Sequence, residues 1–168
     1  AVEWGEWGEE VQVKDDRRQH VERQGPGEDR GSSAAFPFGV STLHENEISG
    51  QIVDAAIEVH RTLGGPGLLA SVYEEALVWE LEQRGLGVER QLCLPIRYKG
   101  RILASPLRID LVAGGKVIVE CKAVASDHPV FQSQVLTYLR LTGLKLGLVI
   151  NFGERVVKDG IHRVVNRL

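Results

Sequence analysis

The stretch KVIVECK, residues 116–122, sets an acid and a base two positions apart inside a run of valine and isoleucine. Residues two apart on an extended chain point to one face, so Glu120 and Lys122 share a side while Val119 and Cys121 take the other. Removing both charges from water is costly unless they pair with each other or bind something. Asp110 lies ten residues earlier in the similarly apolar RIDLVAGG.

These two runs read as an antiparallel hairpin around Gly114-Gly115, and its register decides whether the three side chains meet. A two-residue loop pairs 113 with 116 and puts Asp110 on the wrong side. A three-residue loop over 113–115 pairs 112 with 116 and sets Asp110 opposite Ile118, one diagonal step from Glu120. That diagonal spans about 7–8 Å, close enough for two carboxylates to share one metal ion. The pattern therefore predicts an odd-length loop or bulge with a glycine in the left-handed conformation. Arg108, two before Asp110, is expected on the same face as a phosphate clamp or a charge partner for the acids. In QSQVLTYLR, Gln134 and Tyr138 are four apart and share one helical face.

Around these residues the chain supplies a regular set of elements. Ile48, Ile52, Val53, Ala56, Val59 and Leu63 recur at helical steps until Gly64-Gly65-Pro66 stops them. A second helix is expected from about Leu69 to Arg84, with Val72, Ala76, Trp79 and Leu81 facing the core and Gly85 just past its end. Three extended runs follow Gly87, punctuated by Lys99-Gly100 and Gly114-Gly115. A third helix over about Pro129 to Leu141 precedes a buried strand in LKLGLVINF and a closing one in GIHRVVNRL. The order predicts a mixed α/β domain of about 120 residues, a normal size for one core.

Residues 1–43 differ in kind, mixing nine acids and five bases with Gly, Ser and Pro and showing no sustained periodicity. We expect an acidic, disordered tail there, leaving the remainder at a net charge of +1. A domain so close to neutral has no general pull toward nucleic acid, and any basic patch must be local. Cys93 and Cys121 are not spaced for zinc or for a disulfide framework. No run approaches the ~18 apolar residues of a membrane span, so no membrane partner and a cytoplasmic location are expected. No methionine begins the sequence, which suggests processing or a fragment. His60 is expected at the core boundary and His128 in a surface loop.

Taken together, Asp110, Glu120-Cys121-Lys122 and Gln134-x-x-x-Tyr138, following a helix with G-x-x-x-x-x-Y, resemble the PD-(D/E)XK nuclease superfamily in its RecB and lambda-exonuclease-like branch. More closely, EISGQIVDAAIEVHRTLG, GPGLLASVYEEAL, RIDLVAGGKVIVECKAV and QVLTYLRLTGLKLGLVINFG resemble its small GxxExxY family, over about residues 45–168. The resemblance implies a restriction-endonuclease-like core in which helices flank a mixed, mainly antiparallel sheet. It also implies a metal-dependent hydrolase of phosphodiester bonds in nucleic acid, for which we favour DNA over RNA. Asp110, Glu120 and the backbone carbonyl of Cys121 would hold Mg²⁺ or Mn²⁺, ions that prefer oxygen ligands and keep several waters. Lys122 would position or deprotonate the attacking water, and Gln134 and Tyr138 would orient the nucleic-acid end or the metal-side network, Tyr138 touching phosphate through its hydroxyl. Arg108 and Tyr73 are expected as further substrate contacts.

One position departs from the family pattern. Gly67 and Tyr73 are present, but Ala70 stands where the family name places glutamate. Glu74 lies one helical turn further along the same face, about 6 Å away. Two functions follow: a nuclease weakened at Ala70, or a degenerate nuclease fold that binds nucleic acid or protein without cutting.

Overall fold

A computed structural model describes residues 39–167; the expected tail lies outside the described residues except for its last five. Those five already belong to the fold. The Ser41 amide donates to the Gly114 carbonyl at 2.9 Å, and Leu43 packs against the core.

Helix α1, Glu45–Thr62, starts with a reciprocal cap in which the His44 ring accepts from the Asn46 amide and the Glu47 carboxylate accepts from that of His44. Each bond satisfies an amide that has no partner within the helix. Helix α2, Ala70–Gln83, buries Tyr73, Leu77 and Leu81 completely. This corrects the expected face: Val72 is 40% and Trp79 61% exposed. Apolar residues surround this helix on several sides, so periodicity alone could not choose among them. Trp79 lines an apolar cleft between α1 and α2 with Val59, Leu63 and Ala76.

The strands are β1 (Val88–Leu94), β2 (Arg97–Tyr98), β3 (Arg101–Ile102), β4 (Leu107–Ala113), β5 (Val117–Lys122), β6 (Leu146–Asn151) and β7 (Ile161–Val165). Five of them form one sheet in the order β1-β4-β5-β6-β7. Its pairs are antiparallel except β5–β6, which is parallel across helix α3, Pro129–Thr142. The expected α/β architecture with a mixed, mainly antiparallel sheet is therefore present. The expected turn at Lys99-Gly100 is present, with both residues at positive φ, but the residues flanking it form a separate two-stranded β2–β3 sheet and not part of one meander.

Helices α1 and α2 cover one face of the sheet, packing on Leu111, Ala113, Val117, Val119 and Cys121. Helix α3 covers the other through Val135, Tyr138 and Leu139, against Ile118 and Val149. It lies so close to β6 that a Cβ on Gly147 would meet Val135 Cγ1 at 2.4 Å. A single methyl there would force the helix away from the sheet.

His128 has a definite structural task. Its Nδ1 accepts from the Val130 amide as the N-cap of α3, and Pro129 takes the first helical position, where a missing N–H costs nothing. Replacing His128 with alanine is expected to lower stability by about 1 kcal/mol, read as a shift in urea midpoint with unchanged slope.

Candidate active site

The β4–β5 loop has three residues, Gly114 to Lys116, since Ala113 pairs with Val117. Gly114 and Gly115 have φ of 58° and 65°, a left-handed geometry that glycine adopts without a Cβ penalty. The expected odd length and left-handed glycine are thus present, but the loop sits one residue later than expected. Every pairing shifts by two, to Val112↔Ile118 and Leu111↔Val119. Continued one step, this register brings Asp110 level with Glu120 instead of Ile118. The strands part at that step, and the Asp110 Oδ2 accepts from the Cys121 amide at 3.0 Å.

Glu120 lies 4% exposed on the α3 side of β5. Its Oε1 accepts from Lys122 Nζ at 2.9 Å, while its Oε2 is buried and has no hydrogen-bond partner among the described residues. Burial, then the neighbouring charge of Asp110, push its carboxyl up to about 7, against the pull of Lys122. The Lys122 ammonium also stands 4.9 Å from the centre of the Phe131 ring, where the negative face of the aromatic attracts it.

From α3, Gln134 Nε2 donates to the Tyr138 hydroxyl at 2.7 Å. Tyr138 is 2% exposed, and burial followed by the charge of Glu120 raises its pKa. Tyr138 is thus buried between α3 and the sheet, where the expected phosphate contact would need its hydroxyl exposed. The Cys121 side chain points to the α1 and α2 face, and burial pushes its thiol pKa well up. Only the Cys121 main chain belongs to the site.

Two expected substrate contacts are not where the sequence suggested. The Tyr73 ring is fully buried and stacked on Phe152 at 4.7 Å. Its hydroxyl donates to the Gly65 carbonyl and accepts from the Leu68 amide, so it ties the glycine-rich turn to α2 and cannot meet a substrate. Arg108 is exposed and opposite Cys93, and no ion pair among the described residues joins it to Asp110. His60 is buried as expected, near Tyr73 and Phe152.

Asn151 carries a role the sequence reading missed. It pairs with Lys122 across β5–β6 and is 0% exposed. Its Oδ1 accepts from the Val124 and Gly153 amides, and its Nδ2 donates to the Val124 carbonyl and to Asp127 Oδ1. Asp127 in turn contacts His162 Nε2 at 2.6 Å. One amide thus fixes the chain leaving Lys122 toward α3. The only signal in the sequence was a polar residue ending the buried run LGLVIN.

Among the described residues no cluster of three or more His, Cys, Asp or Glu side chains is spaced to hold a metal. The site offers two carboxylates, a nearby main chain and one orphaned carboxylate oxygen. That donor set suits a hard, largely hydrated divalent ion and not zinc.

A mixed, mainly antiparallel sheet with helices on both faces is the core expected of a nuclease-like fold, and Asp110, Glu120-x-Lys122, Gln134 and Tyr138 lie on its β4, β5 and α3. The chain belongs to the PD-(D/E)XK nuclease superfamily, whose family model matches residues 46–164. No curated protein is significantly similar to it. The crystal structure of SSO0001 is similar over 74% of this chain and 60% of its own, at 17% identity and a TM-score of 0.43. This chain therefore spans about three fifths of the length of that protein. No described helix is long and apolar enough to cross a membrane.

Proposed function

We propose that residues 44–168 form a Mg²⁺- or Mn²⁺-dependent nuclease domain of the GxxExxY type, hydrolysing phosphodiester bonds in DNA. The observation that carries this reading is the Glu120 Oε2, a buried carboxylate oxygen with no partner among the described residues, near Asp110 and Lys122. An unpartnered buried acceptor is expensive, and a cation between the two carboxylates would satisfy it. Asp110, Glu120 and the Cys121 carbonyl would hold that ion. When bound, it would acidify a water and offset phosphate charge.

The protein's own groups do the rest. Lys122 holds a positive charge at the edge of the site, where it can orient a water and steady a developing phosphate charge. Phe131 shields that ammonium on one side. The Tyr138 hydroxyl accepts from Gln134, which holds the two α3 side chains together.

The test is cleavage of single- and double-stranded DNA with Mn²⁺ by the parent, Lys122→Ala and Ala70→Glu. We expect parent activity, a loss of about 10²–10⁴-fold in Lys122→Ala, and a gain in Ala70→Glu. DNA retained on the parent but left uncut in every sample would instead support the binding-module reading.

A further inference from the structure

Two neighbouring strands change face at one level of the sheet. In β1, Val88 packs with the α1 and α2 cluster while Leu92, four residues on, packs against the α3 cluster. In β4, Leu111 and Ala113 belong to the first cluster and Ile109 to the second. A regular strand would keep residues of equal parity together. Both changes fall between the pairs Arg90↔Leu111 and Leu92↔Ile109, at Gln91 and Asp110.

Gln91 has φ of 51°, a conformation that residues other than glycine, asparagine and aspartate rarely adopt and that surrounding contacts must hold. Those contacts come from α2. Gln91 Nε2 donates to Glu74 Oε1 at 2.8 Å, and the same oxygen accepts from Nε and Nη2 of Arg90 at 3.3 Å. Glu74 is 5% exposed, a buried acid with no part in the chemistry above. Across the break, the Asp110 carboxylate takes the Cys121 amide just where β4–β5 pairing ends.

We propose that Glu74 is a positioning residue: through Gln91 it holds the bend at which β1 and β4 change face, and that bend turns Asp110 against the Cys121 amide beside Glu120. The structural part stands alone, and its consequence for ion binding rests on the proposed function. The carboxylate grips two consecutive residues of β1 from the helix above. Without that grip Gln91 relaxes to an ordinary extended conformation, the strand regains its alternation, and Asp110 rotates away.

The experiment uses the full chain with two readouts: hydrogen exchange of the Cys121 amide, with Val119 on the same strand as reference, and calorimetric titration with Mn²⁺. Glu74→Met keeps the volume but removes the acceptor. It should speed Cys121 exchange about tenfold over Val119 and weaken Mn²⁺ binding about tenfold, the lower end for residues that orient metal ligands. Glu74→Gln keeps an acceptor and should stay near the parent. Adding Gln91→Gly to Glu74→Met should restore both readouts, because glycine holds the left-handed conformation unaided. Unchanged Cys121 exchange in folded Glu74→Met, or no restoration by glycine, overturns the proposal. If Glu74→Met does not fold, the exposed Gln91→Ala replaces it, with the same acceleration expected and an unchanged rate overturning the idea. Should Cys121 respond as expected in a parent that binds no Mn²⁺, the positioning role is upheld and the ion site of the proposed function is what falls.

Discussion

Replacing Glu120 with glutamine is expected to stabilise the metal-free protein at pH 8 by about 3 kcal/mol while abolishing Mn²⁺ binding. The Glu120 carboxyl is pushed from 4.5 to about 7, first by burial and then by Asp110. The folded chain therefore holds this proton to a higher pH than the unfolded chain does. Its contribution to stability is full below about pH 4.5 and is lost as pH rises through about 7. Glutamine does not ionise, keeps the volume and can still accept from Lys122. Urea unfolding at pH 5 and pH 8 should show the parent weakening over that interval and the variant holding level. Equal slopes in the two proteins would sink this account. Saturating Mn²⁺ at pH 8 should raise the parent alone, because an ion that binds only the folded state stabilises it.

Asn151→Ala should be the most damaging single change to the scaffold, at about 3–5 kcal/mol. It removes an amide that is 0% exposed and makes four hydrogen bonds. Val124 would lose partners for both its N–H and its C=O, and Gly153 and Asp127 would each lose one. Relaxation is blocked on one side, since even a Cβ on Gly153 would lie 2.2 Å from the Val124 carbonyl oxygen. We expect the melting temperature to fall by about 10 °C or more. A drop of only a degree or two would show that water replaces the amide at little cost.

How much of this was written in the sequence varies with the physics involved. Helices α1 and α3 were legible because apolar residues recur along them at helical steps, and α1 because Gly64-Gly65-Pro66 also marks its end. The β4–β5 hairpin was legible in parity because a side chain on the wrong face would bury a charge. Its exact pairing was not, because two glycines in succession leave two positions for a three-residue loop. The face change at Gln91 and Asp110 left no local mark, since it depends on Glu74 reaching from a helix seventeen residues earlier in the chain than Gln91. Tyr73 was misread because its side chain suits a buried stack as well as a phosphate contact. Asn151 escaped notice because its partners are backbone groups, which no sequence pattern displays.

The parallel pairing of β5 with β6 also bears on the order in which the domain can assemble. Asp110 and Glu120 lie on a hairpin closed by a three-residue loop, a local contact that forms with little loss of chain entropy. Lys122 meets Asn151 only after α3 has been made and folded back. During synthesis the two acids would therefore be neighbours before the strand that secures the lysine exists, and β6 would join them only later.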